Sequence, residues 1–296
     1  MSELTPNYSM IDRFIRLLTV ERLEDDFFRG IATPGGRGRV FGGQIIGQGL
    51  MAAAQTVVPD RVVHSLHAYF VRAGSAEKPV VYRVWRDRDG GSFSTRRVEA
   101  VQEGQPILTM SLSFQIREKG LSHAESMPDV PGPEDLRTET ELAEAHPDLM
   151  SVKVRAHLSA NRPVELRPCI LRAPYVTDPQ DPFYAVWIKS KGPMPDDPLL
   201  HRAGIAFCSD MGLLSSSLMP HGKGFSDPDM RCASLDHSVW LHEDARLDDW
   251  LLYVNDSTWS GGARGLSRGR IYTRDGRLVA QTMQEGLIRQ IGAKAG

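Results

Sequence analysis

Three polar side chains stand in apolar surroundings in the second half of the chain: Asp210, Ser234 and Gln284. Asp210 follows the apolar run 203–208 and sits beside Met211, Leu213 and Leu214. An unpaired carboxylate there costs several kcal/mol, so it is exposed, satisfied by partners, or kept for proton transfer. Gln284 shares period-two parity with Leu278, Ala280 and Thr282, which places an amide on an inward strand face. Ser234 opens a strand beside Cys232 and Ala233. Taken singly, Asp210 reads equally well as a helix-surface acid and Ser234 as a structural hydroxyl. Brought together, an acid, a hydroxyl and an amide on three elements can hold and deprotonate a water molecule.

Other spacings lead elsewhere or nowhere. Gly265-Leu266-Ser267-Arg268-Gly269 spells a nucleophile elbow, but that arrangement needs a histidine after the serine, and the last histidine here is His242. Gly222-Lys223-Gly224 lacks the upstream glycine and the Ser or Thr of a P-loop, and Gly42-Gly43 lacks Rossmann spacing. His237 and His242, five apart on one strand, point to opposite faces and read as ordinary polar side chains. No metal and no cofactor is expected.

The elements that must position the trio follow from periodicity. Met10, Ile11, Phe14, Leu17 and Leu18 predict an amphipathic helix over 8–22, a lid on a core. A Gly/Pro-rich stretch leads into a second, closely packed helix over 45–54, and alternation predicts strands over 62–71, 80–86, 95–101 and 107–116. Residues 119–163, with Pro128, Pro131 and Pro133 and a polar helix over 134–145, read as a linker. Asp197-Pro198 is an N-cap with proline at the first helical position, opening a helix to Leu218 of about 30 Å. Strands are predicted over 183–188, 233–241, 250–254, 269–273 and 278–287.

The order of the first half thus recurs in the second. Ser65-Leu66-His67-Ala68-Tyr69-Phe70 falls on Leu235-Asp236-His237-Ser238-Val239-Trp240 at an offset of 170, and the turn Glu103-Gly104 on Asp275-Gly276 at 172. At these offsets Gln284 answers to Leu112 and Ser234 to His64, so one active site per chain is expected. Composition narrows the class. A chain of 296 residues with 41% hydrophobic residues can bury its own core, and a net charge of −2 leaves no basic face for nucleic acid. Three cysteines without paired spacing fit a reducing compartment, and no apolar run is long enough to span a membrane.

Arg39-Val40-Phe41-Gly42-Gly43-Gln44, His64-Ser65-Leu66-His67-Ala68-Tyr69-Phe70, Ser209-Asp210, Pro220-His221-Gly222, Ser234-Leu235-Asp236-His237-Ser238-Val239-Trp240-Leu241-His242 and Gln281-Thr282-Met283-Gln284-Glu285-Gly286 together resemble the acyl-CoA thioesterase II family, over about 20–289. The resemblance implies an α+β double hotdog, two antiparallel sheets each wrapped round a central helix: a first repeat over 1–118, a linker over 119–163, and a second repeat over 164–296 that carries the catalytic residues. It implies Asp210, Ser234 and Gln284 as the catalytic trio. Many members carry threonine where Ser234 stands; serine keeps the hydroxyl but turns more freely about χ1. Relatives place an arginine after the second histidine, where this chain has Glu243.

The implied reaction is hydrolysis of a fatty acyl-CoA to free acid and CoA without a covalent acyl-enzyme, Asp210 acting as base and Ser234 and Gln284 holding the water. Backbone N–H groups at a helix start and the Gln284 amide are both candidate oxyanion donors. Arg264, Arg268 and Arg270 are candidate phosphate contacts, with solvated strand-face arginines the preferred reading. The expected partner is a small-molecule acyl-CoA, with no nucleic acid and no membrane span, in a homodimer or homotetramer. The ending Ala293-Lys294-Ala295-Gly296 lacks a peroxisomal signal, and a cytoplasmic enzyme is expected. Two other classes compete: a non-catalytic acyl-CoA-binding protein, which would lack the trio, and a hydratase, which would need an Asp-x4-His unit that is missing after the second helix.

Overall fold

Period-two alternation carries most of the chain into strands. The first half forms β1 (Val20–Glu24), β2 (Phe27–Gly30), β3 (Arg61–Phe70), β4 (Val80–Asp89), β5 (Phe93–Gln102) and β6 (Gln105–Ile116). The second forms β7 (Val164–Pro168), β8 (Phe183–Ser190), β9 (Met230–Ser234), β10 (Asp236–Leu241), β11 (Leu251–Gly261), β12 (Arg264–Thr273) and β13 (Leu278–Gln290). Four α-helices join them among the described residues: α1 (Met10–Leu18), α2 (Gly42–Ala54), α3 (Glu139–Ala145) and α4 (Pro198–Ser209). The computed structural model describes residues 8–149, 151–152, 155 and 162–292, so the C-terminal motif lies outside the described residues. No described helix is long and apolar enough to cross a membrane.

The strands make one antiparallel sheet of order β1-β2-β4-β5-β6-β3-β10-β13-β12-β11-β8-β7, with β9 also on β13. Read from either end, the order places corresponding strands in the same sequence. Instead of the expected two sheets there is one, because the inner edges β3 and β10 pair, with Val239 opposite Leu66 and Asp236 opposite Tyr69. The pairing leaves neither inner edge open.

Inside the sheet's curve, α2 and α4 run antiparallel in contact along glycine and alanine. A Cβ on Gly43 would stand 2.2 Å from the Phe207 carbonyl oxygen, and one on Gly47 3.2 Å from that of Ala203. Residues 200–209 of α4 are buried on every side, as the apolar run predicts. α1, held by a Ser9/Asp12 capping box, buries Phe14, Leu17 and Leu18 as the expected lid, with Phe14 edge-on to Phe207.

Two sequence expectations are corrected. α4 stops at Ser209 rather than Leu218: Gly212 turns left-handed at φ 73°, and the chain continues in short 3-10 turns at Leu213–Ser217 and Met219–His221. The strand expected over 233–241 is broken at Leu235, with consequences for the site. Short or exposed strands β1, β2 and β7 escaped the sequence reading altogether. The described part of 119–163 does more than connect: Met127, Val130 and Leu136 cover the outer face of β8, β11 and β12 at Trp187, Leu252 and Tyr272.

Candidate active site

Asp210 is the residue at which α4 ends, and its side chain is only 6% exposed. Its two oxygens are held from opposite halves of the chain. Oδ2 accepts from the backbone N–H of Gly43 at 2.9 Å, and Oδ1 from Gln284 Nε2 at 2.7 Å. The first of these explains a local oddity of α2. Its N-cap is Phe41, which has no side chain able to take up the unsatisfied N–H groups of the first turn; Asp210 does so from the other helix. Gly42 must be glycine for the same approach, since a Cβ would lie 2.7 Å from Asp210 Oδ2. Burial raises the Asp210 pKa to about 6, against the lowering pull of the Gln284 and Gly43 hydrogen bonds. A carboxylate poised there can take a proton at neutral pH.

Gln284 lies on the inward face of β13, as its parity predicts, and is 1% exposed. Its Nε2 also reaches His237 Nδ1 at 3.0 Å. His237 is fully buried, and its Nε2 lies 2.8 Å from Ser209 Oγ and 3.3 Å from Thr282 Oγ1. Burial lowers its pKa to about 3, so the ring is neutral. It belongs to the site rather than being the ordinary polar side chain the sequence suggested, whereas His242 stays exposed against Gln281.

The broken strand supplies the reason. Along β9, Ser234 pairs with Gly286, and along β10, Ser238 pairs with Met283, so one extra residue is inserted about Leu235. This bulge puts Ser234 and His237, three apart, on the same inward side, where regular alternation would oppose them. Ser234 lines one cavity with Asp210 and Gln284. The structure therefore brings all three predicted residues to one place and adds Gly43 and His237.

The cavity measures about 1080 Å³. Phe41, Ile45, Phe70, Leu166, Ile170, Tyr184, Phe207 and Leu213 form apolar walls, and Arg37, Arg39, Arg72, Arg172 and Lys223 stand about it. Arg264, Arg268 and Arg270 do not line it: they pair with Glu285, Asp256, and Asp256 with Glu125. Ser267, the apparent elbow serine, is buried in mid-strand and accepts from Ser216 Oγ at 3.0 Å.

Residues 154–287 match the family model described as acyl-CoA thioesterase, and 32–115 that of the acyl-CoA thioesterase N-terminal domain. Acyl-CoA thioesterase 2 of Haemophilus influenzae is 36% identical over 280 residues, 95% of this chain and 98% of the relative. The chain belongs to the acyl-CoA thioesterase II family. Among its relatives in that family, mouse acyl-coenzyme A thioesterase 8 is 40% identical, covering 92% of this chain and 88% of its own. The crystal structure of acyl-CoA thioesterase II TesB2 from Mycobacterium marinum superposes with a TM-score of 0.77 at 38% identity, over 94% and 99% of the two chains. A hot dog fold protein from Alicyclobacillus acidocaldarius, 20% identical, matches at a TM-score of 0.74 over 93% and 97%, and shares the fold.

Gly43 and His237 were present in the motifs that carried the family resemblance but gave no local sign of their roles. Gly43 acts across 167 positions of sequence, and His237 depends on the bulge.

Proposed function

We propose that the protein hydrolyses fatty acyl-CoA thioesters to free acid and CoA by direct attack of a water molecule. The observation that carries this reading is Asp210: a buried carboxylate beside an apolar cavity, with both oxygens held in place. In the reading, a water bound between Asp210, Ser234 and the Gln284 amide attacks the thioester carbonyl. Its oxygen bonds to carbon as Asp210 takes the proton, and the tetrahedral intermediate collapses with rupture of the C–S bond. The departing thiolate receives that proton from Asp210, which restores the base. Both Gln284 N–H groups are engaged by Asp210 and His237, and at the start of α2 the Gly43 and Gln44 N–H groups are taken by Asp210 and the Phe41 carbonyl, so the oxyanion takes its donor from the Gly42 N–H, which lines the cavity.

The apolar walls would hold the acyl chain, and Arg37 and Arg39, both exposed and without a side-chain partner among the described residues, would meet the CoA phosphates. The mirror-ordered strands with α2 and α4 inside support a double hotdog, its repeats over 1–118 and 164–296. A single site per chain fits the contrast between halves. β3 and β6 set Leu66 opposite Leu112, and the register of β10 on β13 sets His237 opposite Gln284, so the counterpart of His237 is Leu66 rather than the His67 of the sequence match, and the start of α4 is capped by its own Asp197.

The test is thiol release from acyl-CoAs of increasing chain length, up to palmitoyl-CoA. Turnover giving one free acid per CoA supports the reading, and the length profile names the substrate. Binding of acyl-CoA without release would replace the enzyme with a carrier.

A further inference from the structure

The hydrogen bonds around His237 determine which way Gln284 faces. Ser209 Oγ donates to the Ala206 carbonyl at 2.8 Å, and Thr282 Oγ1 donates to the Ser238 carbonyl at 2.7 Å. Each hydroxyl has one proton, and both protons are thereby committed to carbonyls, which can only accept. With those protons directed to the carbonyls, His237 Nε2, facing both hydroxyl oxygens, is the ring nitrogen that carries hydrogen. In a neutral imidazole the other nitrogen is then bare. Nδ1 can only accept, so the Gln284 atom 3.0 Å away is the amide nitrogen. The second N–H of that nitrogen goes to Asp210 Oδ1, and Gln284 Oε1, with no protein partner among the described residues, is left to the cavity.

We propose that His237 is a positioning residue: its Nδ1 lone pair fixes the Gln284 amide with nitrogen toward Asp210 and oxygen toward the cavity, as an acceptor for the attacking water. The proposal rests on the thioesterase reading. Without the bare Nδ1, the amide can turn over, which sets its oxygen against the Asp210 carboxylate and offers the water a donor in place of an acceptor. Asp210 Oδ1 lies 3.9 Å from Nδ1, and the buried Tyr253 hydroxyl, which stays protonated, donates to the carbonyl of Ser209, whose side chain meets Nε2.

The test compares wild type with His237→Leu, which removes the acceptor, and His237→Asn, which restores a carbonyl oxygen near Nδ1. Thiol release is followed against pH for an acyl-CoA that the wild type hydrolyses. His237→Leu is expected to lose about tenfold or more in kcat with KM changed less than about threefold. Its acid limb should move up, because Asp210 loses the hydrogen bond that holds its pKa down. His237→Asn should recover most of the rate and return the limb toward that of wild type. Should His237→Leu not fold, the Ser209→Ala/Thr282→Val double variant leaves the ring in place and removes what selects its tautomer. It should show the same kcat loss. Nitrogen-labelled histidine in the wild-type protein should show His237 neutral with hydrogen on Nε2. An Nδ1–H tautomer, or a folded variant without the acceptor that keeps wild-type kcat and acid limb, overturns the proposal. Wild type that releases no CoA would instead sink the thioesterase reading itself.

Discussion

At the scale of single residues, the site turns on how a carboxylate is kept both buried and ready. Asp210 is taken from water by α2, β13 and the cavity wall, and burial raises its pKa to about 6. A base must be ionised, so kcat/KM should rise with pH through about 6 and level off above it; a profile flat from pH 5 to 8 would contradict this assignment. The same shift has a stability consequence of definite sign. The folded state holds its proton more tightly than the unfolded chain, so stability is greatest at low pH and is lost as Asp210 is forced to ionise between about pH 4 and 6. Measured by denaturant at several pH values, wild type should lose up to about 3 kcal/mol relative to Asp210→Asn across that window. Asp210 and Gln284 were legible because each is polar at a position whose neighbours are apolar. His237 was not, because its direction is set by a one-residue insertion at Leu235 that hydrophobic alternation does not reveal.

At the scale of elements, the site is the meeting of two helix ends with an inward strand face. Gly43 is the pivot: its N–H holds Asp210, and its missing side chain lets α2 lie on α4. Gly43→Ala forces the helices apart, since the intruding Cβ meets backbone. It should lower unfolding free energy by about 1–3 kcal/mol and reduce kcat together with it. Circular dichroism melts and thiol release on one preparation would show both; a stable, fully active variant would mean the contact is dispensable. The strands were readable where apolar residues alternated over a long stretch, as in β6 at Leu108, Met110, Leu112, Phe114 and Ile116. β1 was not, since four of its five residues are exposed, and α4 was read too long because Leu213, Leu214 and Leu218 continue its apolar run beyond the turn at Gly212. The pairing of β3 with β10, a contact between distant stretches, has no local signature.

At the scale of the whole molecule, the cavity joins parts of both halves: the α2 start and Arg37 and Arg39 from one, the acid, hydroxyl and amide from the other. If the two arginines meet CoA phosphates, Arg37→Ala/Arg39→Ala should raise KM for acyl-CoA about tenfold, weaken its salt dependence, and leave kcat unchanged. An acyl-pantetheine thioester, which lacks the nucleotide, should be turned over equally by the variant and wild type. Equal losses on both substrates would move the phosphate contacts elsewhere.

Activation of the water by Asp210 is tested most directly by thiol release from a long-chain acyl-CoA at pH 7.5 by wild type and Asp210→Asn, with acyl-CoA binding measured on both. Wild type should turn over, and the variant should lose about 10²–10⁴-fold in kcat while still binding substrate and melting cooperatively. A folded Asp210→Asn protein that keeps the wild-type rate would contradict activation by Asp210.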